Sequence, residues 1–280
     1  MNTVAIIGTG LIGASFGLAL KQVGFNGSII GVSSERALAD AVSAGAIDRG
    51  ASLAEAVSEA DLVFLSQTIG RILDTIRHLD PLVRPGALVT DAGSTKTAIV
   101  DEACQFLRRG QFLGGHPMAG KETRGAGAAD ATLFQDRIWV LTPDEPSELD
   151  TAAAQDFRHW LERIGARIVI LDSEEHDRTV ALTSHLAQLA STALASTVAD
   201  QAGVNSVKVA GSGLTDMTRL ALSPYDLWRD ILATNTEHID RALSRYIQKL
   251  EHVRENLRTR QLQDEFARAA DLAARLRRPI

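Results

Sequence analysis

The chain has 280 residues, 45% of them hydrophobic and 23% charged, with few aromatics and a net charge of −6 at pH 7. That length is generous for one core, so two domains are expected, and the negative balance argues against nonspecific attraction to nucleic acid or to an anionic membrane. A single cysteine, Cys104, excludes an internal disulfide or a cysteine cluster and fits a reducing compartment. No apolar run reaches the length of a membrane span, and the N-terminus reads as a strand rather than a signal peptide, so a soluble cytoplasmic protein is expected.

The chain opens on TVAIIGTGLIGASFG, a β-branched run followed by Gly8, Gly10 and Gly13, with Leu11 and Ile12 between the glycines, and then a helical pattern. A tight turn needs the first glycine, a close-lying pyrophosphate the second, and helix-on-strand packing the third. Amides at the helix N-terminus would then face the phosphates, so this segment predicts a dinucleotide site. Strand-like runs at 28–32, 62–66, 87–91, 111–115 and 138–142 alternate with helical stretches. That alternation predicts an α/β domain with a doubly wound parallel sheet. The acid that reads a ribose is expected about twenty residues past the glycines, but Ser33 stands there with Ser34 next to it, and Glu35 comes only two positions later, followed by Arg36. Serines and an arginine suit a 2′-phosphate, which leans the cofactor towards NADP, with NAD open. Capping of the next helix accounts equally well for either serine.

One further strand is expected at 166–172, and beyond it the pattern is helical. The boundary is placed between a nucleotide-binding domain (1–165) and a helical substrate and dimerisation domain (166–280). Asp172 and Glu175 form a helix-start pair. Leu182, Leu186, Leu189 and Ala193 predict a buried stripe, with His185 flanking it. His176 stands nine residues before His185, about half a helical rotation away, so the two histidines predict no metal pair and no metal is expected. Ser223-Pro224 with Asp226 reads as a second helix start. Long helices with uncovered apolar stripes point to a homodimer through this half, and the mixed-charge tail (258–280) reads as a solvated or subunit-packing helix rather than a nucleic-acid arm.

In a doubly wound sheet, ligands lie at the carboxyl ends of the strands. Two reactive segments converge there, DAGSTK (91–96) and GGHPMAGKE (114–122). Glycines and a proline around His116 predict a short, bent loop. A neutral imidazole in that place can accept the proton of an alcohol being oxidised. Ser94 can hydrogen-bond the same oxygen, cap the helix beginning near Lys96, or do both. Arg219, just beyond a glycine turn in the helical half, can grip a carboxylate with two parallel hydrogen bonds.

Taken in order, GTGLIGASFG, TDAGSTK, GGHPMAGKE and GSGLTDMTRLA with YDLWRDI resemble the prephenate and arogenate dehydrogenases of tyrosine biosynthesis, over the chain to about residue 250. The resemblance implies a Rossmann-type domain followed by an all-helical dimerisation domain. It implies oxidative decarboxylation of prephenate or arogenate, with hydride transfer to NAD or NADP. It assigns His116 as the base, Ser94 to the reacting hydroxyl and the nicotinamide, and Arg219 to a substrate carboxylate. Glu122 becomes an active-site acid that gates or orders the pocket, Trp228 a pocket edge, and His185 and Gln188 substrate-side residues. Many prephenate enzymes have a second histidine in a His-Leu-Pro-His run where this chain has Gln188. That departure leaves the choice between the two substrates open, with prephenate favoured by the family at large. A non-catalytic, dinucleotide-sensing protein is the reading from another class. It would not need His116, Ser94 and Arg219 around one crevice.

Overall fold

The computed structural model describes residues 1–121, 123–201, 208–259 and 261–278. Glu122 lies outside the described residues.

The nucleotide-binding half alternates strand and helix. It runs β1 (Thr3–Ile7), α1 (Leu11–Gln22), β2 (Ser28–Val32), α2 (Glu35–Ser43), β3 (Arg49–Gly50), α3 (Leu53–Glu59), β4 (Leu62–Leu65) and α4 (Ile69–Leu79). It continues with β5 (Leu88–Asp91), α5 (Thr97–Phe106), β6 (Gln111–Pro117), β7 (Ile138–Thr142), α6 (Ala152–Arg163) and β8 (Arg167–Ile170). These strands form one eight-stranded sheet in the order β3-β2-β1-β4-β5-β6-β7-β8. Central strands are covered on both faces, which is why they read as unbroken apolar runs. Val4, Ile6, Leu62 and Phe64 pack into one layer, while Ala5, Ile7, Val63 and Leu65 pack into the other. Phe16, Phe64 and Trp139 meet at tilted angles in the first layer, with centroids 4.5–6.0 Å apart.

The sheet differs from expectation in two ways. It is not wholly parallel, because β7 runs antiparallel to β6. It also runs past the boundary expected at residue 165, since β8 pairs in parallel with β7 through Ile138↔Arg167 to Leu141↔Ile170. The seam therefore falls after β8, where Asp172 caps the next helix by accepting from Glu175 N at 2.7 Å.

Beyond the seam come α7 (Ser173–Val180), a π turn (Ala181–His185), α8 (Leu186–Gln201), α9 (Ser212–Thr218), α10 (Tyr225–Thr234), α11 (Thr236–Glu255) and α12 (Gln263–Leu276). The expected stripe is not buried within the chain: Leu182 is 45% exposed and Ala193 is exposed. The inward positions are Ala181, His185, Gln188 and Ser191. A π turn closes i→i+5 instead of i→i+4, so it re-phases everything after it. The same turn narrows the half-rotation between His176 and His185 to about a quarter turn, and both are buried among the residues around Asp177.

Two aspartates of the helical half join it to the nucleotide-binding half. Asp177 accepts from the backbone N–H groups of Lys96 (2.7 Å) and Thr97 (2.9 Å), capping α5, which has no side-chain cap of its own. Asp230 accepts from Gly70 N at 3.0 Å in the first turn of α4. Helix N-termini leave such N–H groups unpaired, so each carboxylate stabilises a helix start and ties the halves together. Ser94 is not the α5 cap; Asp177 takes that role. At α10 the N-cap residue is Pro224, and Ser223 Oγ instead accepts from the Trp228 indole N–H at 2.9 Å.

Candidate active site

His116 is not in a loop. It is the penultimate residue of β6, opposite Val140 in the antiparallel ladder, and 8% exposed. The glycines before it mark close approach by neighbouring groups, not a turn. A Cβ on Gly114 would lie 2.2 Å from Thr142 Oγ1, and one on Gly115 would lie 2.7 Å from the Asp91 carbonyl oxygen. Without those side chains β6 can press against β5 and β7, holding the imidazole on a strand rather than on a mobile tip.

A buried ion pair supports it from below. Lys96 pairs with Asp91, both fully buried, and Lys96 Nζ donates to the Gly115 carbonyl at 2.8 Å. Asp91 in turn accepts from Gly115 N (3.0 Å) and Gly93 N (2.7 Å). The DAGSTK segment is thereby bonded to β6 at the residue just before His116.

On its other side His116 meets the helical half. Its Nδ1 is 2.9 Å from His176 Nε2, and His176 Nδ1 is 2.8 Å from Asp177 Oδ1. Burial lowers the pKa of His116 well below the usual histidine range, with His176, Lys96 and His185 adding to the shift. Burial likewise lowers His176, although Asp177 opposes it. Burial raises Asp177, but its bonds to His176 and to the Thr97 and Lys96 amides outweigh that and leave it lowered. At neutral pH the arrangement is two neutral imidazoles and one carboxylate.

A cavity of about 630 Å³ opens at the carboxyl ends of β1, β4 and β5, facing α8 and α10. It brings together Gly10, Leu11, Ile12, Ser94, His116, Gln188, Arg219 and Trp228 from the sequence-predicted set. It does not include His185, which stacks edge-on behind Trp228 (5.8 Å, 87°) and accepts from Asn235 Nδ2 at 3.3 Å. Ser33, Ser34 and Arg36 stand exposed past the end of β2, outside this lining, and Ser34 Oγ caps α2 by accepting from Ala37 N at 3.4 Å.

The glycine turn fits a dinucleotide. Gly8 has φ +101°, and a Cβ on Gly13 would lie 2.1 Å from the Gly8 carbonyl. A Cβ on Gly10, by contrast, would meet nothing within 4 Å. Two glycines build the turn, and the third leaves open backbone at the N-terminus of α1 where a phosphate can sit. Among the described residues, no three His, Cys, Asp or Glu side chains cluster to hold a metal ion, and no helix is long and apolar enough to cross a membrane.

Comparison with known proteins decides the lineage. Residues 16–170 match the prephenate dehydrogenase nucleotide-binding domain, and residues 172–271 match the prephenate dehydrogenase dimerization domain. The chain belongs to the prephenate dehydrogenase family. Prephenate dehydrogenase of Lactococcus lactis is 33% identical over 242 residues, covering 85% of this chain and 66% of that protein. The chain thus spans about two thirds of that relative's length. Among solved structures, prephenate dehydrogenase of Aquifex aeolicus in complex with hydroxyphenyl propionate and NAD+ superposes with a TM-score of 0.88 at 29% identity, covering 99% of this chain and 97% of that one. Arogenate dehydrogenase of Synechocystis gives 0.79 at 30% identity, with 98% of each chain covered.

In this member of the prephenate dehydrogenase family, sequence reasoning assigned no role at the site to His176, Asp177, Lys96, Asp91 or Asn235. The adjacent His176-Asp177 pair was the available signal. Its meaning depends on partners 60 and more residues away in sequence. The same cluster has a consequence for stability. His185 is lowered to about 4, chiefly by burial. Between pH 6.5 and 4 the unfolded chain binds a proton that the folded chain refuses, so stability present above pH 6.5 is lost as pH falls to 4. For His185 alone this amounts to about 3 kcal/mol. Urea midpoints measured from pH 7.5 to 4.5 should fall less steeply in His185→Gln than in the parent; equal slopes would remove His185 from the account.

Proposed function

We infer that this chain is an NAD(P)-dependent dehydrogenase that oxidatively decarboxylates a cyclohexadienol, prephenate or arogenate, as in tyrosine biosynthesis. One observation carries the reading: His116 and Ser94 from the sheet, and Arg219 from the helical half, line a single cavity that also reaches the Gly10 turn. A dinucleotide-sensing protein has no need of that convergence. The nicotinamide of a dinucleotide held at the Gly10 turn would supply the hydride acceptor for the ring carbon that bears the hydroxyl. His116 takes the hydroxyl proton through Nε2, Ser94 hydrogen-bonds the same oxygen, and Arg219 holds a carboxylate. As the ring carboxylate leaves as carbon dioxide, its bonding pair enters the ring, which becomes aromatic, and His116 returns the proton to the phenol oxygen. The protein's work is to orient the ring and place a base.

Ser33, Ser34 and Arg36 support NADP over NAD, because Ser33 stands where the ribose-reading acid is expected and the nearest carboxylate, Glu35, comes two positions later in the first turn of α2. Exposed Leu222 (77%), Tyr225 (68%), Leu257 (70%), Phe266 (70%) and Leu276 (76%) support a homodimer through the helical half. The test is absorbance of reduced cofactor with prephenate or arogenate, each with NAD or NADP. No reduction in any of the four mixtures rejects the reading.

A specific observation also favours arogenate. Gln188 Nε2 donates to the Leu220 carbonyl (2.8 Å) and Thr192 Oγ1 (3.1 Å). Both amide hydrogens are committed, and the side-chain oxygen is left to meet a ligand. An acceptor suits the ammonium of an amino acid side chain better than a keto oxygen. Gln188→His should lower the arogenate-to-prephenate ratio of kcat/KM by about tenfold; an unchanged ratio would take Gln188 out of substrate choice.

A further inference from the structure

Which nitrogen of His116 is bare is fixed by groups that do not line the cavity. Asp177 accepts two backbone N–H groups of α5, from Lys96 and Thr97, so it is ionised and has no proton to give. Its third bond, at 2.8 Å to His176 Nδ1, therefore carries the imidazole's proton. A neutral His176 then has only a lone pair at Nε2, and that atom lies 2.9 Å from His116 Nδ1. The proton between the rings must belong to His116 Nδ1. His116 Nε2, the remaining ring nitrogen of a residue lining the cavity, is left as the acceptor.

We propose that His176 is a positioning residue that holds His116 in its Nδ1–H tautomer and receives part of the positive charge when His116 Nε2 takes the substrate proton. The proton balance closes. The substrate O–H bond breaks and an Nε2–H bond forms, His116 then bears two N–H groups, and its Nδ1–H shifts toward His176 Nε2, with Asp177 as counter-ion. When the phenol oxygen recovers its proton, the shift reverses.

The surrounding charges set the sign. Lys96 and Asp91 from the β5–α5 segment, Asp177 from α7 and His185 from the π turn all act on this pair. Burial and the Lys96 ammonium keep both rings neutral at rest, which the tautomer argument requires. Asp177 also caps α5, so the carboxylate that fixes the tautomer is the one that docks the helical half on the nucleotide-binding half. Loss of that docking would free His176 to turn and release the proton on His116.

The kinetic arm of the test rests on the dehydrogenase activity inferred above; the spectroscopic arm does not. In the ¹⁵N-histidine spectrum of the full-length parent at pH 7.5, His116 should be Nδ1-protonated with Nε2 bare. In His176→Phe it should pass largely to the Nε2–H form, which free imidazoles prefer. His176→Phe should lose kcat on the order of 10²-fold with KM within about twofold. His176→Gln, which can accept from His116 and donate to Asp177, should recover most of that loss. If His116 in the parent is Nε2-protonated, or keeps its Nδ1–H form in His176→Phe, the proposal fails whatever the activity. It fails also if the Phe and Gln variants lose kcat equally, since a merely space-filling role gives no rescue by hydrogen bonding. A parent inactive in all four substrate and cofactor mixtures sinks the dehydrogenase reading, and the tautomer spectrum still decides the role of His176.

Discussion

His116→Asn should lower kcat by about 10³-fold while KM stays within a few-fold. Asparagine keeps a polar group near the Nδ1 position, able to donate to His176 Nε2, so β6 and its contacts with the helical half are retained. It removes the atom proposed to take the proton. In the proposed mechanism Arg219 and Ser94 still bind and orient the ring, so the loss is expected in turnover rather than in binding. The parent's pH profile carries a second signature. Burial, His176, Lys96 and His185 all disfavour the His116 imidazolium, so the base stays unprotonated well below pH 6.5. The kcat of the parent should be level as pH falls through 6.5 and bend only at lower pH, and the residual rate of His116→Asn should lack that bend. Stopped-flow absorbance of the reduced cofactor across pH 5 to 8 measures both. A variant within tenfold of the parent would show that another group takes the proton.

What could be read from the sequence was local. The glycine turn, the β-branched strands and the Asp172 helix start each depend on residues within a few positions of one another, and each stands where it was expected. The position of His116 at the cavity was legible because two segments at strand carboxyl ends converge in any doubly wound sheet. Its setting was misread, since Gly114 and Gly115 look like a loop until Thr142 and Asp91 are seen pressed against them. His176 was set aside by helical-wheel arithmetic that assumes 100° per residue throughout, and the π turn at 181–185 breaks that assumption. Lys96 and Asp91 lie inside the DAGSTK segment, but their pairing was not legible, because charged side chains are seldom fully buried. Only the contact of β5 with β6 shows that these two are.

That buried pair makes the second large prediction. Lys96→Met should cost about 3–5 kcal/mol of folding stability, the range for breaking a buried ion pair by removing one partner. Methionine fills the stem's volume, so the loss is electrostatic rather than a cavity. Asp91 would keep its bonds to the Gly93 and Gly115 amides, but its charge would have no buried counter-ion and the Gly115 carbonyl would lose its donor. Adding Asp91→Asn to Lys96→Met removes the stranded charge, and the double variant should regain at least about 1 kcal/mol over Lys96→Met alone, a coupling that a double-mutant cycle reads directly. Urea unfolding followed by tryptophan fluorescence measures it, because Trp139 is fully buried beside β6. Activity should respond separately from stability. Lys96 is one of the groups that hold the His116 pKa down, so in Lys96→Met the imidazolium becomes easier to form and the acidic bend of kcat moves to higher pH. A variant within about 1 kcal/mol of the parent, with its bend unmoved, would mean that the Lys96–Asp91 pair neither secures β6 nor tunes the base.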